Sequence, residues 1–168
     1  MYTPKEPLPQ YPTGGAGIPE PERPPIPAQV TNAIRAMYAG AAATIVGVII
    51  EIVTVGATKT AIEKRSHHLT AHQVNATEHV LVIGFVIGGL IALAAWIIIA
   101  RACRNGSAAA RITGTVFFGL ATIDAIVASA APVAVAIKAW WPVIWLIGLA
   151  AVILLWQRAS TAFFKGNQ

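Results

Sequence analysis

Two acidic residues, Glu51 and Asp124, stand inside long apolar runs. A carboxylate in hydrocarbon costs about 2.5–3.5 kcal/mol even on lenient insertion scales, so such a residue is either paired across helices or part of an ion path. Counted at helical rise from the start of each run, Glu51 lies about 22 Å and Asp124 about 18 Å from the same membrane edge. At one level, the two carboxyls could share a proton or hold a small cation. The competing use is structural. Each acid would then be bonded singly to a hydroxyl of Thr44, Thr54, Thr122 or Ser129, or Glu51 to Lys138 near the outer surface. The structural use is the leading expectation, because the pair has no further acidic members.

The histidines form a second cluster, all within residues 58–79. His68 and His72 are four apart and share a face if that stretch is helical. Glu78 and His79 follow two turns on, and imidazoles so placed suit Zn²⁺ or Cu²⁺. Thr70-Ala71-His72-Gln73, however, reads as a capping box, which puts His68 ahead of the helix. No cysteine and no His-Glu-x-x-His pattern supports a site, so the expectation is solvated histidines and no metal. The single cysteine, Cys103, excludes an intrachain disulfide. No phosphate loop, nucleophile triad or dinucleotide fingerprint occurs, so neither an enzyme nor a cofactor is indicated.

The elements that must carry these residues are transmembrane. Of the 168 residues, 56% are hydrophobic and 11% charged, against about 25% charged in soluble domains. The spacing predicts an all-α bundle of four membrane-crossing helices over residues 33–157. It would lie between a Pro-rich tail over 1–32 and a short basic tail over 158–168. Residues 1–29 hold nine of the eleven prolines and read as disordered or polyproline II, with one PxxP from Pro24 to Pro27 as a handle for a protein partner. With no signal peptide ahead of it, the first helix is expected to serve as an uncleaved anchor. Helix one is expected from about Ala33, capped by Thr31 or Asn32, with its apolar run from Ala36 to Ala57. Helix two is expected to start near Ala71 in water, with Val80 to Ala100 free of charge. A turn at Asn105-Gly106-Ser107 leads to helix three, from about Ile112 to Ile137. A tight turn at Lys138, Trp140, Trp141 and Pro142 precedes helix four, from Val143 to Trp156.

The net charge of +5 does not point to nucleic acid, because the basic residues flank the apolar runs. Arg35, Arg101, Arg104, Arg111, Arg158 and Lys165 fall on one side, and Lys59, Lys64, Arg65 and Lys138 on the other. The arginine-rich loop around Cys103 has no acid, so that side, with both ends of the chain, is expected to be cytoplasmic. Trp96 and Trp156 are read as inner-interface anchors, and Trp140 with Trp141 as outer ones. For close packing, the small residues are Ala39, Ala43 and Gly47 in helix one and the Gly84-x-x-x-Gly88 motif in helix two. Their use is within the bundle, with a homo-oligomer as the sharper alternative.

From helix two onward the chain resembles small four-helix membrane proteins of actinobacteria. The resemblance rests on Trp96 to Ala100, Arg101-Ala102-Cys103-Arg104-Asn105-Gly106, Ala110-Arg111-Ile112 and Thr115-Val116-Phe117-Phe118-Gly119. Leu154-Leu155-Trp156 with Ser160 and Phe163-Phe164 continue it, and the Pro-rich leader and Met37-Tyr38-Ala39-Gly40-Ala41 fit the same pattern. It implies an envelope setting and the plasma membrane, and no activity. The leading functional expectation is a structural or accessory protein acting through partner contacts. The alternative is a small transporter or channel subunit using Glu51 and Asp124.

Overall fold

The computed structural model describes residues 25–166. The expected tail over residues 1–24 therefore lies outside the described residues. Among those described there are six helices and no strand: α1 Ala28–Val53, α2 Val55–Arg65, α3 Ala71–Arg104, α4 Ala108–Ser129, α5 Val135–Trp156 and α6 Arg158–Gly166. Four of them, α1, α3, α4 and α5, are long and apolar enough to cross a membrane, and the chain is a membrane protein on that ground.

α1 is the axis of the bundle, packed between α3 and α5. Its buried or half-buried stripe runs Val30, Ala33, Met37, Gly40, Thr44, Gly47, Glu51. The steps alternate between three and four residues, the repeat of a helix seam. Small residues let two backbones approach, which matters in lipid, where association rests on van der Waals contact rather than on the hydrophobic effect. A methyl placed on Gly40 would meet the Trp96 ring at 2.7 Å, and one on Gly89 would meet Val48 at 2.5 Å. One on Gly47 would meet Trp140 at 3.1 Å.

Thus Gly47 and the buried Ala43 are packing positions, whereas Ala39 is exposed. Gly84 and Gly88 face open space, since nothing lies within 4 Å of a methyl placed on either. The close approach of α3 to α1 falls on Gly89, one residue along, because a rotation of about 100° per residue turns Gly84 and Gly88 away from α1.

Several boundaries differ from those expected. α1 begins at Ala28 rather than Ala33, with Pro27 at the N-cap and no side-chain cap. Thr31 and Asn32 are inside the helix, and the Thr31 hydroxyl donates back to the Pro27 carbonyl at 3.4 Å. The polar segment after α1 is not a loop throughout. A break at Thr54, whose hydroxyl donates to the Ile50 carbonyl at 2.7 Å, leads directly into α2. α3 starts as expected at a Thr70–Gln73 capping box. Its 34 residues span about 51 Å, longer than the hydrocarbon layer of about 30 Å. Gly106, with φ 74°, closes its far end, a left-handed conformation that glycine takes without a Cβ clash.

The break between α4 and α5 falls at residues 130–134, around Pro132, and not at Lys138 to Pro142. Trp140, Trp141 and Pro142 all lie inside α5. Both prolines remove a donor, and tertiary contacts select which one breaks the chain. At 130–134 the freed groups are met by α2: Arg65 Nη1 donates to the Ala130 carbonyl at 2.6 Å, and Ala134 N–H donates to the buried Thr58 hydroxyl at 3.3 Å. Pro142 deprives only the Lys138 carbonyl, in a residue exposed near the end of α5, where such a loss is tolerated.

Residues 158–166, beyond α5, are also helical. Gln157 forms the bend, and the buried Ser160 hydroxyl donates to the Leu154 carbonyl at 2.7 Å. α6 then lays Phe164 into a buried cluster with Val30, Ala33, Ala100, Cys103 and Leu155. Arg111 of α4 holds this end together. Its guanidinium lies 4.3 Å from the Trp156 ring centroid, and Nη1 donates to Thr161 at 3.0 Å.

Candidate functional site

α3 and α4 meet at their Asn105–Gly106 hairpin, where Gly114 abuts Ile99. Further along, both leave most of their apolar surface uncovered, and none of the most apolar 18-residue stretch of either helix is buried. Between them, floored by α1 and α5, lies a cavity of about 560 Å³. Its rim at membrane depth carries Gly84 and Gly88 on one side and Ala121 and Asp124 on the other, all exposed. The volume is that of a small-molecule site, typically about 300–1,000 Å³.

Glu51 and Asp124 line this one cavity, from α1 and α4 respectively. Glu51 is at its floor and only 1% exposed, placed there by the same repeat that buries the α1 seam. Neither of its carboxyl oxygens has a hydrogen-bond partner among the described residues. Asp124 is at the rim and exposed.

The hydroxyls expected to pair with them are committed to their own helices. Thr44 donates to Gly40, Thr54 to Ile50, Thr122 to Phe118 and Ser129 to Ile126, at 2.7–2.9 Å. Such back-bonding satisfies the hydroxyl at the helix backbone. Lys138 does not line the cavity and is exposed. Among the described residues, the two acids are the cavity's only ionisable side chains, and no Lys, Arg or His lines it.

The rest of the wall is aromatic and aliphatic. Four of the five tryptophans line it: Trp96, Trp140, Trp141 and Trp145. They are held in place rather than free. Trp140 Nε1 donates to the Ala43 carbonyl at 2.9 Å, across the gap that Gly47 leaves. Trp145 Nε1 donates to Thr122 at 3.0 Å and its ring packs on Phe118, centroids 5.7 Å apart. Trp141 packs on Phe85 at 5.9 Å. These are tilted pairs of the kind aromatic quadrupoles favour.

Trp96, Trp140 and Trp141 are thus half-buried and packed within the bundle. Trp156, 51% exposed, keeps its place near the end of its span. The signal for this wall was the four-residue spacing of Trp141 and Trp145, which puts both on one face of a helix.

The histidine cluster is dispersed. His67 and His68 precede the Thr70 cap, while His72 and His79 are exposed on the first turns of α3. Cys103 is buried at the opposite end of the bundle. Comparison with protein-family models, with curated proteins and with solved structures found no match, so the resemblance to the actinobacterial proteins rests on the sequence motifs alone.

Proposed function

We propose that this chain is a small multi-pass transporter subunit of the plasma membrane that exchanges a cation against protons at Glu51 and Asp124. One observation carries the reading: two carboxyls, that of Glu51 buried without a hydrogen-bond partner, and no basic residue among the described residues line one cavity between the membrane-crossing helices. A buried carboxylate without a partner is too costly to persist, so its charge requires a bound proton or a bound cation. A site that can hold either is suited to exchange them, the cation entering as the proton leaves. The arginine-rich end, with Arg101, Arg104 and Arg111, is then the cytoplasmic side. The accessory reading depends on a partner for residues 1–29, most of which lie outside the described residues. It is tested by asking which proteins copurify with the full chain and are lost when 1–29 are deleted.

The direct test is counterflow in liposomes. The full chain is reconstituted with a pH-sensitive dye inside, and a gradient of an organic or alkali cation is imposed. The expected result is proton movement opposite to the cation, abolished by Glu51→Gln and strongly reduced by Asp124→Asn. Proton movement equal to that of protein-free liposomes, or undiminished in the double variant, overturns the proposal.

A further inference from the structure

The geometry points to the class of cation: we infer that the cavity takes a lipophilic organic monocation bearing aromatic or quaternary onium groups, admitted sideways from the bilayer between α3 and α4. This deepens the proposed exchange at Glu51 and Asp124 and rests on it.

The first support is the mismatch with a small inorganic ion. Such ions need about six oxygen ligands in a close shell. Among side chains this wall offers only the two carboxyls and the Thr44 hydroxyl as oxygen ligands. The space of about 560 Å³ is also far larger than one ion needs.

The second is the match with an organic cation. An onium centre is weakly hydrated and attracted to the faces of aromatic rings, tryptophan best, and the more so once water is excluded. Four tryptophans and Phe85, Phe117 and Phe118 supply such faces. The bonds from Trp140 to Ala43 and from Trp145 to Thr122 fix two of the rings in advance, which lowers the ordering cost of binding. Glu51, at the floor, supplies the countercharge that makes the site selective for cations over neutral molecules of the same shape.

The third is the way in. The exposed rim residues Gly84, Gly88, Ala121 and Asp124 belong to the interior of α3 and α4, at the depth of the hydrocarbon. The glycines leave that side unobstructed, since nothing approaches within 4 Å of a methyl at either position. A solute already dissolved in the bilayer reaches Asp124 first and Glu51 last.

The probe is tetraphenylphosphonium, and its control is tetraphenylborate, nearly the same shape with the opposite charge. The full chain in lipid nanodiscs is expected to bind the cation saturably at pH 8 and to release it as pH falls, while tetraphenylborate neither binds saturably nor competes. Glu51→Gln should weaken binding at least tenfold. Gly88→Leu, whose side chain enters open space, should weaken it severalfold with unchanged unfolding, and it keeps the test available should Glu51→Gln fail to fold. Equal binding of the two probes, or undiminished binding of the cation to both variants, overturns the inference. Carboxylate-dependent exchange of protons for sodium or potassium in liposomes, without binding of tetraphenylphosphonium, overturns this inference and leaves the exchange reading standing. Neither exchange nor binding overturns both.

Discussion

Replacing Glu51 by leucine removes a buried carboxyl, 1% exposed, whose two oxygens have no partner. A buried polar group left unpaired costs about 1–3 kcal/mol, and an apolar group of similar size carries no such cost. Part of that penalty is shared with the unfolded state, because the separated α1 helix would also carry the carboxyl through hydrocarbon. The expected net gain for Glu51→Leu is therefore about 1–2 kcal/mol of stability. Glu51→Gln retains polar atoms in the same place and should leave stability nearly unchanged. Both should abolish exchange. A substitution that stabilises the fold and removes the activity marks a residue kept for function at the expense of stability. Equilibrium unfolding in mixed micelles, followed by the fluorescence of the tryptophans around the cavity, measures the first effect, and liposome counterflow the second. Destabilisation of Glu51→Leu by more than about 1 kcal/mol would refute the reasoning, since it would mean that the carboxyl has a partner leucine cannot replace.

Gly40→Ala should destabilise by about 1–3 kcal/mol, because its methyl meets the Trp96 ring at 2.7–3.0 Å, whereas Gly84→Ala and Gly88→Ala should be neutral or slightly stabilising; unfolding curves of the three variants compare them directly. Arg111→Lys should loosen α6, since an ammonium cannot reproduce both the stacking on Trp156 and the bond to Thr161; faster proteolysis after Lys165, with the membrane-spanning helices intact, is the expected readout. For topology, exposed probes at His68→Cys and Asn105→Cys in a Cys103→Ala background should react on opposite sides, with only the first labelled by an impermeant thiol reagent on intact cells. Replacing His68, His72 and His79 together by alanine should change stability by less than about 0.5 kcal/mol, as for surface residues without a shared partner, and a large drop reproduced by chelators would establish a metal.

Asp124 carries a different lesson. Had a hydroxyl been paired with it, Asp124→Leu would strand that partner. With Thr122 bonded to Phe118 and Ser129 to Ile126, there is no such partner to strand. Depth along a helix says nothing about rotation around it. A serine or threonine in a helix always has a carbonyl of its own helix within reach, which outcompetes a partner on another helix unless that partner is well aimed.

From the sequence alone, the number of membrane-crossing helices, the Thr70 cap and the Asn105–Gly106 turn were legible, because each depends on local composition: apolar length, a capping side chain, a glycine at positive φ. The presence of two intramembrane acids was legible for the same reason. Which proline ends a helix was not local. It depended on Thr58 and Arg65 of α2, distant in sequence, meeting the backbone groups freed around Pro132. The seam of α1 was written in its three- and four-residue steps, yet its partners, Trp96 and Trp140, came from two other helices. Indole favours the interface layer, and that preference does not show that Trp96 and Trp140 pack into the gaps at Gly40 and Gly47. That Glu51 and Asp124 share one aromatic cavity was decided by the tertiary structure, because the splay of α3 from α4 is a matter of how whole helices pack and not of any residue in the space between them.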